Sequence, residues 1–124
     1  MTTLALSRPS ISLWLRLEHA ALLALVVAAY ARFSGDWLAF ALLLFVPDIS
    51  MIGYLRGPQI GSIVYNAGHL LAAAVAVVAL GLAAESLALV QIGLIWVTHI
   101  TLDRTLGYGL KYPTFFKDTH LQRV

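Results

Sequence analysis

The chain has 124 residues, of which 60% are hydrophobic and 11% charged, with a net charge of +2 and a mean hydropathy of +0.86. That is too apolar for an ordinary soluble domain and too short for several domains. The absence of cysteine excludes disulfides, thiolate metal sites and cysteine nucleophiles, and the scattered basic residues give no nucleic-acid footprint.

About twenty apolar residues cross the hydrocarbon core of a bilayer. The first such stretch runs from about Leu13 to Phe33, with Arg16, Glu18 and His19 near its start. It follows Arg8, as a signal peptide would. It is long enough to span, however, and no small-residue cleavage pattern follows, so it reads as a retained helix. The second runs from about Asp36 to Leu55 and contains Pro47, which should kink or loosen it. The third runs from about Pro58 to Ala84, with Pro58 suited to a first helical turn, and the fourth from about Ser86 to Leu110. A tail covers 111–124. The connections are short, so consecutive helices should be antiparallel neighbours in one domain. The expected fold is all-α, a four-helix transmembrane bundle.

The Lys/Arg bias sets the orientation. Arg8, Arg16, Arg56, Arg104, Lys111, Lys117 and Arg123 fall on one side, while Arg32, offset by Asp36, and Glu85 fall on the other. Both termini are therefore expected in the cytoplasm, and the composition suits a bacterial inner membrane. Trp14, Trp37, Tyr30, Tyr54 and Tyr112 lie near span ends, where interfacial aromatics belong.

The polar residues of the spans gather at one depth. Glu18, Asp48, Asn66, His69, His99 and Asp103 come from all four helices, and each lies within a few turns of the same side. A charged side chain at the bilayer centre costs roughly 2.5–3.5 kcal/mol on insertion scales. Several carboxylates together also repel, and a divalent cation offsets both costs. His99 and Asp103, four apart, share a helix face, as do Asn66 and His69. The expected ligands are Glu18, Asp48, His69, His99 and Asp103, a mixed imidazole and carboxylate set that suits zinc, iron or manganese. Glu18 is a ligand or a general base. Arg104 and Lys111 stand at the mouth, where they suit the headgroup of a lipid-like substrate. Asn66, Tyr65, Tyr108, Asp118 and His120 are placed around the ligands, the last two only if the tail folds back instead of lying with Phe115 and Phe116 on the headgroup surface. His19 is read as structural.

Singly, each of these has a plain alternative: a His–Asp pair that pins helices, a cap at Asp48 beside Pro47, or a snorkelling Glu18. The GYG run at 107–109 follows no strand and reads as a helix terminator. The small residues Gly53, Gly57, Gly61, Ala67 and Gly68 make a homodimer plausible.

The stretches FVPDISMIGYLRGPQIGSIVYNAGH and HITLDRTLGYGLKYPTFFKDTHL resemble the small bacterial membrane proteins grouped as domain-of-unknown-function family 4260. The resemblance covers nearly the whole chain and implies no activity. It implies that Glu18, Pro47–Asp48, Tyr65–Asn66, His69, His99, Asp103–Arg104, the GYGLKYP run and the DTH stretch belong to the family pattern. The HxxxD of His99 and Asp103 is also similar to what membrane-bound metal-dependent hydrolases carry, although their HR…TH stretch is missing here. The leading expectation is a metal-dependent hydrolase acting on a lipid-like substrate. A proton- or ion-coupled transporter, a haem protein using His69 and His99, and a structural subunit with a polar packing network are the alternatives.

Overall fold

A computed structural model of the chain describes residues 11–33, 35–113 and 118–123. The described chain is mostly helical, without strands among the described residues, and is built on four rods. Helix α1 spans Ile11–Arg32. The second rod is a short helix α2, Trp37–Leu43, continued by a 3-10 segment, Val46–Arg56. The third is α3, Pro58–Gly68, continued by α4, Leu71–Ala83. Helix α5, Leu87–Leu106, is the fourth, and a short α6 covers His120–Arg123.

Three stretches are long and apolar enough to cross a membrane: Ile11–Arg32, Trp37–Arg56 and Pro58–Ala83. Their outer faces carry bare leucine and isoleucine, with Leu55 84% and Leu42 69% exposed. An apolar surface this extensive is normal against lipid and a liability in water. Helix α5 is the most interior element. It packs on α4 and α1 and buries Val90, Leu94, Ile95, His99, Ile100 and Arg104. Its approach to α4 depends on two glycines. A Cβ at Gly81 would lie 2.6 Å from the Val90 nitrogen, and one at Gly93 would lie 2.8 Å from the Val78 nitrogen.

The turn between α1 and α2 is closed by Tyr30, 1% exposed, whose hydroxyl donates to the Asp36 carbonyl at 2.6 Å. Tyr30, Trp37 and Phe40 pack ring to ring at 5.1–5.3 Å. Asp36 caps α2, its carboxylate accepting from the Leu38 and Ala39 amides, an arrangement worth about 1 kcal/mol.

The two bent rods differ from straight spans. Pro47 has no amide hydrogen to continue an α-helix, and α2 stops at Leu43 before the 3-10 segment takes over. That segment lies on α3 through small residues. A Cβ on Gly53 would reach 2.8 Å from Val64 Cβ, the Tyr54 ring covers Gly61, and Gly68 sits against Ser50. These three glycines, expected on a dimer face, are used inside the chain. The third rod, expected as one helix through His69, breaks there instead: α3 ends at Gly68 and α4 starts at Leu71.

Gly107 ends α5 with φ 98°, and the Tyr108 amide reaches back to the Asp103 carbonyl at 2.8 Å. The tail then returns over this end. Lys111 bridges to Thr119, the His120 amide donates to the Leu110 carbonyl, and the Leu110 amide donates to His120 Nδ1 at 2.9 Å. Arg8, Phe115, Phe116 and Lys117 lie outside the described residues.

Candidate metal centre

Four side chains from three rods meet at one point. Asp48 comes from the first turn of the 3-10 segment, His69 from the break between α3 and α4, and His99 and Asp103 from one face of α5. One ligand atom of each lies within 4.8 Å of all the others. Both histidines are buried, at 2% and 1% exposed. The Asp103 and Asp48 side chains are 20% and 33% exposed.

Five of the distances among the four ligand atoms are short. The two imidazole Nε2 atoms are 3.0 Å apart. His69 Nε2 lies 3.2 Å from Asp48 Oδ1 and 3.4 Å from Asp103 Oδ2. His99 Nε2 lies 3.1 Å and 3.2 Å from the same two atoms. A tetrahedral ion with ligand distances of about 2.0–2.2 Å has edges of about 3.3–3.6 Å. Five of the six edges here therefore fall at, or just inside, the spacing of a four-coordinate ion.

Hydrogen bonding behind the His69 imidazole fixes which of its nitrogens presents a lone pair. His69 Nδ1 is 2.9 Å from the Tyr65 carbonyl. A carbonyl only accepts, so Nδ1 carries the proton and Nε2 presents a lone pair. His99 Nδ1 makes no hydrogen bond of good geometry among the described residues, with the Leu44 carbonyl alongside. The His69 lone pair, the His99 Nε2 atom and two carboxylates then converge on a single point, where a cation or shared protons satisfy them.

The helix break is what delivers His69, and α5 holds it open. Ending α3 at Gly68 frees carbonyls that a continuous helix would use. Trp96 Nε1 donates to the Gly68 carbonyl at 2.6 Å, and Arg104 donates to the His69 carbonyl at 3.2 Å. The Tyr65 ring stacks on the His69 ring, with centroids 3.7 Å apart and planes at 8°. Lys111 Nζ lies 4.5 Å from the centre of the Tyr65 ring. Burial pushes the Lys111 ammonium below its usual value, with the Asp103 charge acting the other way.

Asn66 acts as a backbone mimic. Its carbonyl oxygen accepts from the Lys111 amide at 2.7 Å and its amide donates to the Lys111 carbonyl at 2.9 Å. This ties the GYGLKYP strap to α3 across 45 positions. Asn66→Ala removes the Asn66 partner of both Lys111 backbone groups, at a cost of about 1–3 kcal/mol. The Lys111 amide should then exchange with solvent deuterium far faster, with the helices unchanged; equal protection in the variant would contradict this role.

Glu18 is not one of the four grouped side chains, and its position on α1 is exposed. His19 also lies outside the group. Arg104 is directed at the His69 carbonyl and Lys111 at Tyr65, both largely buried, whereas Tyr108 is exposed. Asp118 pairs with Arg123 at 2.6–2.8 Å and His120 serves the strap. Trp96 was not singled out from sequence, and only its position three residues before His99 hints at its role.

The strap also carries a pH dependence. Burial and the positive charge of Arg104 push His120 below the usual histidine value. A lowered folded pKa favours the neutral ring, so this contribution is complete above the unfolded value of about 6.5. It is lost as the pH falls through the lower folded value. Deuterium exchange at Leu110 should therefore rise on going from pH 7 to acid, and His120→Gln should abolish the change.

Over residues 12–124 the chain matches the family described as domain of unknown function (DUF4260), and it belongs to that family. No curated protein and no solved structure matches it.

Proposed function

We propose that this member of the DUF4260 family holds one divalent transition metal ion between Asp48, His69, His99 and Asp103. The observation that carries this reading is the set of five interatomic distances of 3.0–3.4 Å among four ligand atoms. Charge supports it as well. Two carboxylates, two neutral imidazoles and a divalent cation sum to zero, the least costly total in a low-dielectric setting. Zinc fits four nitrogen and oxygen ligands best, and iron or manganese would need added ligands.

Hydrolysis is the activity that this centre suits. A bound divalent ion polarises a carbonyl or phosphoryl oxygen and lowers the pKa of a coordinated water to about 7. Asp48 is the more exposed carboxylate, and so the ligand best placed to yield to water or substrate. On the Lys/Arg bias the centre is read as facing the cytoplasm, within reach of amphiphiles from that leaflet. Transport has less support. Among the described residues the apolar core of Val26, Val90 and Leu94, on the N-terminal side of His99 along α5, offers no polar route.

The test is elemental mass spectrometry on protein purified in detergent without added metal or chelator. Wild type should carry about one equivalent of zinc, iron or manganese, and Asp48→Asn and His99→Ala should each carry less than about a tenth of that. Three folded proteins without metal would sink the reading and leave a His–Asp packing network in its place.

A further inference from the structure

The geometry points to a single-chain amphiphile as the ligand of this centre, its oxygen-bearing head on the metal and its hydrocarbon chain in an adjoining cavity. This rests on the metal reading above. The cavity has a volume of about 340 Å³, inside the roughly 300–1,000 Å³ range of small-molecule sites. Leu43, Val46 and Pro47 line it from the bend of the second rod, and Ile92, Ile95 and Trp96 line it from α5. Its surface is almost wholly apolar.

Its placement ties it to the four ligands. Pro47 and Gly68 in its wall immediately precede Asp48 and His69. On α5, Ile92, Ile95 or Trp96, His99 and Asp103 follow one another at intervals of three or four. They therefore form one stripe of the helix, cavity first and ligands after. Four residues, about 6 Å of rise, separate Ile95 from His99 along the axis.

The direction of that stripe decides the occupant. The cavity lies on the side of the centre away from the strap and the basic C-terminal end of α5, toward the apolar middle of the rods. A molecule with its head at the centre must run its remainder into the hydrocarbon, as a lipid does. A free sugar, nucleotide or peptide has no polar partner along these walls. The exposed edge of Asp48 is where a head group enters, since a bidentate oxygen head can displace that carboxylate or raise the coordination to five.

The experiment uses the full chain in lipid nanodiscs with cobalt(II) replacing the native metal, read by its visible d–d absorption. The cobalt bands of the protein alone test the centre, and their absence overturns the metal reading together with this one. With the bands present, octanohydroxamate and acetohydroxamate are titrated separately. Wild type should bind the long chain at least about 100-fold more tightly. Partition into the bilayer also favours the long chain, so Ile92→Trp and Val46→Trp are run beside it. Both positions are half-exposed, which leaves room for a larger ring. Both variants keep the cobalt bands and the acetohydroxamate affinity. Loss of about tenfold or more of the chain advantage in either variant supports the proposal. The same advantage in all three proteins, or none in wild type, overturns it.

Discussion

Replacing His99 by alanine should weaken metal binding by about three orders of magnitude, equivalent to about 4 kcal/mol. His99 Nε2 contacts the other three ligand atoms at 3.0, 3.1 and 3.2 Å, so its removal takes away the atom common to three of the short distances. The remaining pair of carboxylates then faces one imidazole in a confined space. In wild type a bound metal ion would offset their repulsion, and its binding would add directly to folding stability. A chelator should thus lower the unfolding temperature of wild type sharply and that of His99→Ala hardly at all. The check is a competition titration against a chromophoric chelator, paired with thermal unfolding in detergent. Equal affinities in the two proteins would remove His99 from the ligand set.

The second large effect is expected far from the centre. Gly93→Leu should destabilise the fold by about 3 kcal/mol or more, the upper range for overpacking. The Cβ would sit 2.8 Å from the Val78 nitrogen and 3.2 Å from its Cα, and backbone cannot turn aside as a side chain can. Helix α5 must move off α4, and the core of Val90, Leu94 and Ile95 opens with it. Val75→Leu, on the exposed side of α4, is the matched control and should change stability by less than about 0.5 kcal/mol. Unfolding of the two variants in mixed micelles separates the cases; equal stabilities would mean that the α4–α5 approach is looser than the structure shows.

What the sequence disclosed of the centre depended on local spacing. His99 and Asp103 were legible because four positions on a helix share a face, and Asp48 because a carboxylate beside Pro47 in an apolar run has a cost to explain. His69 was legible by type but not by mechanism. The run YNAGHLLAAAV stays apolar through the break, and periodicity carries no mark where one helix yields to another. The break exists because Trp96 and Arg104, 28 and 35 positions along the chain, donate to the carbonyls it frees. The Asn66–Lys111 pairing is also invisible locally, since it joins groups 45 positions apart. Glu18 shows the reverse error of depth. It shares the level of the ligands along its helix, but a level does not fix the face, and its position on α1 is exposed. The helices themselves, and the stop at Gly107, followed from hydropathy and glycine chemistry.

The central question is whether the two imidazoles and two carboxylates share one ion. X-ray absorption at the metal edge of protein purified without added metal tests that most directly. The predicted spectrum has four nitrogen or oxygen neighbours at about 2.0–2.1 Å with the outer-shell scattering of two imidazoles. A six-oxygen shell without imidazole scattering, or no metal to measure, would contradict it.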